Sequence, residues 1–297
     1  MKSGIIVLKK EEGITSRGAV NRVKRLFDVK KAGHTGTLDP LATGVLPILI
    51  GRAVKASEYM LTSDKYYKAV LRLGITSDTE DITGEILSRA PSVPDRECVM
   101  AAIDRFVGEI MQTPPMYSAL KVGGKKLCDL ARQGVEIERE ARPVTIYSIK
   151  AEMLDKERYS LDVHCSKGTY IRTLCADIGK ELGCGGVMES LERSRASVFT
   201  LEDAHTLSEI ESLEESERDK LIVPIERIFE KYQTLVLSPF FARLARCGVE
   251  IYLKKLGMDI DTGTVVTLYD EHGFFALGEV RDFEAGAAIK PIKQFDV

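Results

Sequence analysis

The chain has no tryptophan and only four histidines, and none of its six cysteines forms a Cys-x-x-Cys pair. The histidines, at 34, 164, 205 and 272, are far apart, so no metal-ligand spacing is visible. The cysteines, at 98, 128, 165, 175, 184 and 247, read as reduced thiols, several of them buried. No uncharged apolar run is long enough to span a membrane. Met1-Lys2-Ser3-Gly4 followed by a short apolar run lacks the layout of a signal peptide, so a cytoplasmic protein is expected. There is no internal repeat and no low-complexity tract. A net charge of -3 argues against a uniformly basic nucleic-acid binder.

What is present is an ordinary globular composition, 44% hydrophobic and 29% charged, over 297 residues. That length suits one large domain and one small one. The charge is unevenly spread. Residues 17–31 carry six cations against Asp28, and residues 121–132 carry four against Asp129. Residues 202–219 carry eight acids against Arg218. Basic stretches of this kind can hold phosphates on an acidic protein, or be solvated helix faces.

Ile5–Leu8 and Val45–Ile50 read as buried strands, and 15–27 as a helix capped by Thr15 or Ser16. A short helix follows at 52–62. Alternation in 67–73 puts Tyr67, Ala69, Leu71 and Leu73 on one face, so Tyr67 points inward. Residues 75–93 read as loop and 95–107 as a helix capped by Asp95. The proline-stiffened stretch 112–121 leads into Gly123-Gly124, which opens a basic helical turn. This excursion, about 112–140, suggests a lid or clamp, or else a plain connection. A strand at 158–166 precedes a helix from about Thr169, with Tyr170 and Arg172 in its first turn. An arginine there is electrostatically unfavourable and suggests an anionic partner. The acidic segment 202–219 reads as a solvated helix or linker. Beyond a boundary near 232, strands at 265–269 and 274–278 flank a hairpin turn, giving a small β domain.

Gly33-His34-Thr35-Gly36-Thr37-Leu38-Asp39-Pro40 is the most informative stretch. Proline restricts Asp39 to extended backbone, so the loop presents one carboxylate in a fixed direction. Chemistry and a self-bonded turn are both compatible with that pattern.

This loop, continuing Leu-Ala-Thr-Gly, resembles the active-site motif of TruB-type pseudouridine synthases. Lys65-Tyr66-Tyr67, the Gln-x-Pro-Pro-x-Tyr-Ser-Ala-Leu-Lys stretch at 112–121, and Ser166-Lys167-Gly168-Thr169-Tyr170-Ile171-Arg172 match the same family in order. The C-terminal unit resembles the PUA-like RNA-binding appendage of bacterial members. Two departures are visible: Glu11 replaces the proline of the early motif, and Cys128 replaces a tyrosine after the basic turn.

The resemblance implies an α+β fold. A mixed, largely antiparallel sheet with flanking helices would form a catalytic domain over 1–232. A PUA-like RNA-binding domain would occupy 233–297. It implies isomerisation of uridine to pseudouridine in the tRNA T-loop, position 55, by base flipping, with no cofactor and no metal. Asp39 is then the nucleophile or the acceptor of the C2′ proton. Arg172 is its charge partner, and Tyr67 stacks on the base or takes the C5 proton. Tyr170 and Leu191 line the pocket, and His34 holds the extruded nucleotide or fills the vacated stack. The implied partner is tRNA through its T-arm, with no membrane and no protein partner, the chain acting as a monomer. The alternatives are a non-catalytic RNA-binding or RNA-folding protein and a guide-RNA-dependent pseudouridine synthase subunit.

Overall fold

The computed structural model describes residues 2–118 and 120–295. Ala119 of the 112–121 motif and the side chains of Lys121 and Lys126 lie outside that description. Nine strands form one mixed sheet. Its main path runs Gly4–Lys10, Thr43–Ile50, Gly186–Ala196, Lys65–Leu73, Arg158–Cys165, Arg142–Met153 and Gly108–Gln112. Ala32–His34 and Phe199–Thr200 are added at its side. Every pairing is antiparallel except that of Thr43–Ile50 with Gly186–Ala196. The apolar run Val45–Ile50 is buried at every position, so it occupies the interior of the sheet. The strand Lys65–Leu73 alternates, with Ala69, Leu71 and Leu73 in the core.

Helices Ser16–Leu26, Arg96–Asp104 and Ile171–Glu181 flank this sheet and close the larger core. Thr15 caps the first by accepting from Gly18 N, and Asp95 caps the second by accepting from Cys98 N. Residues 51–61 form a 3-10 turn, Gly51–Ala56, running into the helix Ser57–Leu61. A second sheet, of five strands, begins at Gln233 and carries the hairpin Val265–Asp270 with Gly273–Phe283. The fold is therefore α+β with a C-terminal β domain. Phe229, Phe274, Leu277 and Phe295 pack with Ile5, Val7 and Met60, so a continuous apolar cluster joins that domain to the main sheet.

The structure corrects several local readings. Residues 75–93 contain a two-stranded hairpin, Ile75–Ser77 with Ile86–Arg89, where a loop is expected. Gly123-Gly124 turn a short hairpin, Lys121–Val122 with Lys125–Lys126, and the helix Leu127–Ala131 begins only after it. Both glycines have positive φ, which favours the tight turn over the helical one. The acidic segment is not a free linker. It folds into short helices, Leu207–Ser212 and Glu215–Lys220, and Glu211 pairs with Arg22 of the basic helix. Part of that helix's charge is thus met internally. The strands Gly108–Gln112, Arg142–Met153 and Gly186–Ala196 are not legible in the sequence. Bulges in Gly186–Ala196 break its alternation.

Candidate active site

The motif loop leaves the short strand Ala32–His34 and returns into Thr43–Ile50. Two buried side chains fix it. Ser16 Oγ, at the start of the first helix, donates to Leu38 O at 2.9 Å and accepts from Leu38 N at 2.8 Å. Lys10, only 1% exposed, donates to Glu11 O at 3.0 Å, to Pro40 O at 3.2 Å and also to Ala42 O. Desolvation pulls the Lys10 ammonium down to about 8, opposed by Asp39. Gly44 completes the return. Its φ is +100°, and a Cβ there would lie 2.3 Å from the Arg193 carbonyl oxygen.

Asp39 lines a cleft of about 320 Å³. Its Oδ2 meets Arg172 Nε at 2.9 Å. Arg172 is buried, and both its terminal nitrogens are engaged: Nη1 donates to Thr79 O at 3.0 Å and Nη2 to Tyr117 O at 2.8 Å. Asp81 lies 3.7 Å from Nη1. The guanidinium therefore ties the motif loop, the 75–89 hairpin and the 112–121 stretch to one point. Asp81 is itself fixed, since its Oδ1 accepts from Thr79 Oγ1, Thr83 N and Thr83 Oγ1. Burial raises the Asp39 pKa, Arg172 opposes it, and Asp81 adds to the rise.

Tyr67 and Leu191 line the same cleft from adjacent strands. Burial raises the Tyr67 phenol, with Arg193 opposing, so the hydroxyl is protonated near neutrality. Tyr170 is the N-cap residue of the Arg172 helix. Gln112, 2% exposed, grips its backbone from both sides: Nε2 donates to Tyr170 O at 3.0 Å, and Tyr170 N donates to Oε1 at 2.8 Å. This clamp sets where the helix begins and hence where Arg172 points. Lys65 lines the cleft but donates to Leu61 O at 3.1 Å, to Met60 O and to Ser63 O, closing the end of the preceding helix. Burial brings its ammonium down to about 8.

The structure thus brings Asp39, Tyr67, Tyr170, Arg172 and Leu191 to one cleft. His34 is not among the lining residues. It stands at the shoulder of the loop, where its Nδ1 accepts from Gly36 N at 3.3 Å. Burial and the Arg193 charge depress its pKa, leaving the imidazole neutral. Sequence reasoning misses Lys10, Asp81 and Arg193, and it quotes Gln112 without a role. Asp81 hides in a polar segment whose turn is held by Glu80 at a φ of +63°. Arg193 stands two residues from Leu191 on one strand face, the one local signal that it shares the cleft.

The arrangement pairs a fixed carboxylate and guanidinium beside an aromatic and an aliphatic wall. It can hold a flat ring against a group able to attack, or take a proton from, an attached carbon. Residues 24–171 match the family model "TruB family pseudouridylate synthase (N terminal domain)". Residues 172–230 match "tRNA pseudouridylate synthase B C-terminal domain". A protein of Alkaliphilus oremlandii named tRNA pseudouridine synthase B is 45% identical over 285 residues, covering 94% of each chain. One of the same name from Methylobacillus flagellatus is 43% identical, covering 93% of this chain and 90% of its own. Among solved structures, a chain in a Cbf5-Nop10-Gar1 complex superposes with a TM-score of 0.70 at 25% identity. That match covers 99% of this chain and 85% of the other. With a family model spanning the motif loop and the Tyr67 strand, and with such relatives along nearly its whole length, the chain belongs to the TruB family of pseudouridylate synthases, which are isomerases.

Proposed function

We propose that this enzyme converts uridine to pseudouridine in the T-loop of tRNA, at position 55. The observation that carries the reading is the Asp39–Arg172 pair, at 2.9 Å, in a cleft walled by Tyr67 and Leu191. A stacked loop uridine must leave its stack to reach such a cleft. Once flipped, its ring packs against Tyr67 and Leu191, as unpaired RNA bases do on aromatic and apolar walls. Breakage of C1′–N1 leaves an electron-poor sugar carbon. The Asp39 carboxylate attacks that carbon, or takes the C2′ proton to give a glycal and later returns it. The freed ring turns, and C5 bonds to C1′ as the Asp39 oxygen leaves that carbon or as the C2′ proton returns. The C5 proton then passes to a base, for which Tyr67 is the candidate once its own hydroxyl proton has been passed on. Arg172 favours the ionised form of Asp39 and fixes its direction.

His34, at the start of the motif loop, holds the extruded nucleotide or fills the gap it leaves. The exposed cations Arg17, Lys24 and Arg25 and the 112–140 excursion grip phosphates. Residues 1–232 act as the catalytic domain, and the unit from 233 acts as a PUA-like RNA-binding domain. The chain works as a monomer in the cytoplasm.

The test is the purified chain on unmodified tRNA and on an isolated T-arm hairpin, without guide RNA. Pseudouridine is expected at position 55 in both, at similar rates. Binding should weaken with salt at a slope set by a handful of phosphate contacts. Activity that requires an added guide RNA would assign the chain to the guide-dependent class. An inert hairpin beside reactive tRNA would place recognition outside the T-arm.

A further inference from the structure

Among the described residues, two cations that line the cleft form no ion pair with a carboxylate, Lys65 and Arg193, and Lys65 is spent closing the helix Ser57–Leu61. Arg193 is 1% exposed and lines the cleft with Asp39, Tyr67 and Leu191. Its Nε donates to Val45 O at 2.8 Å and its Nη2 to Gly36 O at 3.2 Å. Among the described residues no carboxylate forms an ion pair with it, whereas Arg172 has both Asp39 and Asp81. Burying a cation without a counter-charge is costly, and two carbonyl dipoles offset that only in part. Tethering the loop does not explain the charge, because a neutral amide can donate to the same carbonyls. Lys10 and Ser16 also hold the far side of that loop. A permanent positive charge facing a substrate cleft is suited to negative charge that appears only during reaction.

Uridine isomerisation creates such a charge, and the inference rests on that reading. When C1′–N1 breaks, the bonding pair stays with N1 and spreads to the ring oxygens. The sugar carbon, left electron-poor, is met by Asp39. We propose that Arg193 contacts the departing uracil ring and takes up its negative charge until C5 donates an electron pair to C1′ and the C5 proton is lost. Asp39 and Arg172 then serve the sugar, and Arg193 serves the base. The division is electrostatically coherent, because Asp39 is already paired and does not neutralise Arg193.

The test compares wild type with Arg193→Gln and Arg193→Lys on whole tRNA carrying either uridine or 5-fluorouridine at position 55. The C5 fluorine withdraws electrons, so the departing ring needs less help. Single-turnover formation of the C1′–C5 bond is followed, the fluorinated ring keeping its fluorine because it has no C5 proton to lose, with filter binding for affinity. On uridine, R193Q should lose on the order of 10²–10³ in rate with affinity changed only a few-fold, as when one donor to a developing anion is removed. On 5-fluorouridine its deficit relative to wild type should shrink by about tenfold or more. R193K, which keeps the charge, should lose less and respond to fluorine as wild type does. An R193Q rate within about threefold of wild type, or a loss equal on both RNAs, overturns the role. If R193Q does not fold, R193K decides: a large loss equal on both RNAs would mean that Arg193 only builds the loop. Wild-type conversion of uridine reports on the isomerase reading itself, and the variant-to-wild-type ratios report on Arg193.

Discussion

Replacing Arg172 with methionine removes the cation in hydrogen-bond contact with Asp39 and keeps most of the side-chain volume. At 2.9 Å and an effective dielectric constant near 20, the gross attraction between the two groups is about 6 kcal/mol. The net effect is smaller, because the Asp39 side chain remains 34% exposed and is partly screened by water. The buried Asp81 loses its counter-charge as well. A destabilisation of about 3 kcal/mol is therefore expected, the low end for breaking a buried pair. The activity consequence is sharper. Burial already raises the Asp39 pKa, and Arg172 opposes that rise. Without it the carboxylate stays protonated to higher pH, so the acid limb of the pH–rate profile moves upward. Asp81→Asn should move the limb the other way, since the Asp81 charge contributes to raising Asp39. The asparagine Oδ1 can still accept from Thr79 and Thr83, so the hairpin should hold.

The stability linkage follows the same sign. Asp39 titrates higher folded than unfolded, so its contribution is fully present below the unfolded value and is lost as pH rises through the folded one. R172M enlarges that loss. Single-turnover rates across pH, with urea unfolding alongside, give both quantities. At pH 7 the variant should be slower by on the order of 10²-fold or more. An R172M limb that stays in place, or a D81N limb that moves upward with it, would refute control of the profile by Asp39 ionisation.

Asp39→Asn and Asp39→Ala should abolish turnover while leaving tRNA binding largely intact; more than trace pseudouridine from either variant removes the carboxylate from the chemistry. Tyr67→Leu should cost far more activity than Tyr67→Phe if stacking dominates, and equal losses would instead assign the hydroxyl a proton-transfer role. Gln112→Leu leaves two backbone groups of Tyr170 without their partners, each worth about 1–3 kcal/mol where buried. It should therefore lower both the melting temperature and the turnover rate, and an unchanged rate would mean that the helix start is fixed without it. Cys165 and Cys175 are buried, with thiols pushed up to about 12, so iodoacetamide near neutral pH should spare them and label the exposed Cys98 and Cys247. Mass spectrometry of the native protein reads the order, and early loss of Cys165 or Cys175 would contradict the packed core.

The carboxylate loop, the inward face of the Tyr67 strand, the capped helices and the C-terminal hairpin are all legible in the chain itself. Each rests on short-range rules: proline restricts its predecessor, alternation assigns faces, and a threonine or aspartate caps the helix that follows it. The same rules misread 75–93, because the hairpin there is stabilised by Arg172, more than eighty residues later in the chain. They leave 202–219 as a solvated helix or linker, and cannot show that Glu211 of its first helix meets Arg22 of a helix near the N-terminus. They pass over Gly186–Ala196, whose bulges scramble the alternation that would have exposed Arg193. Sequence by itself determined which residue types stand on which loop or strand face, since those follow from backbone sterics and side-chain periodicity. Tertiary structure alone decided which charges meet. Asp39 finds Arg172 while Arg193 is left with two carbonyls, because ion pairing depends on distances of 3 to 4 Å between segments that only the folded sheet brings together.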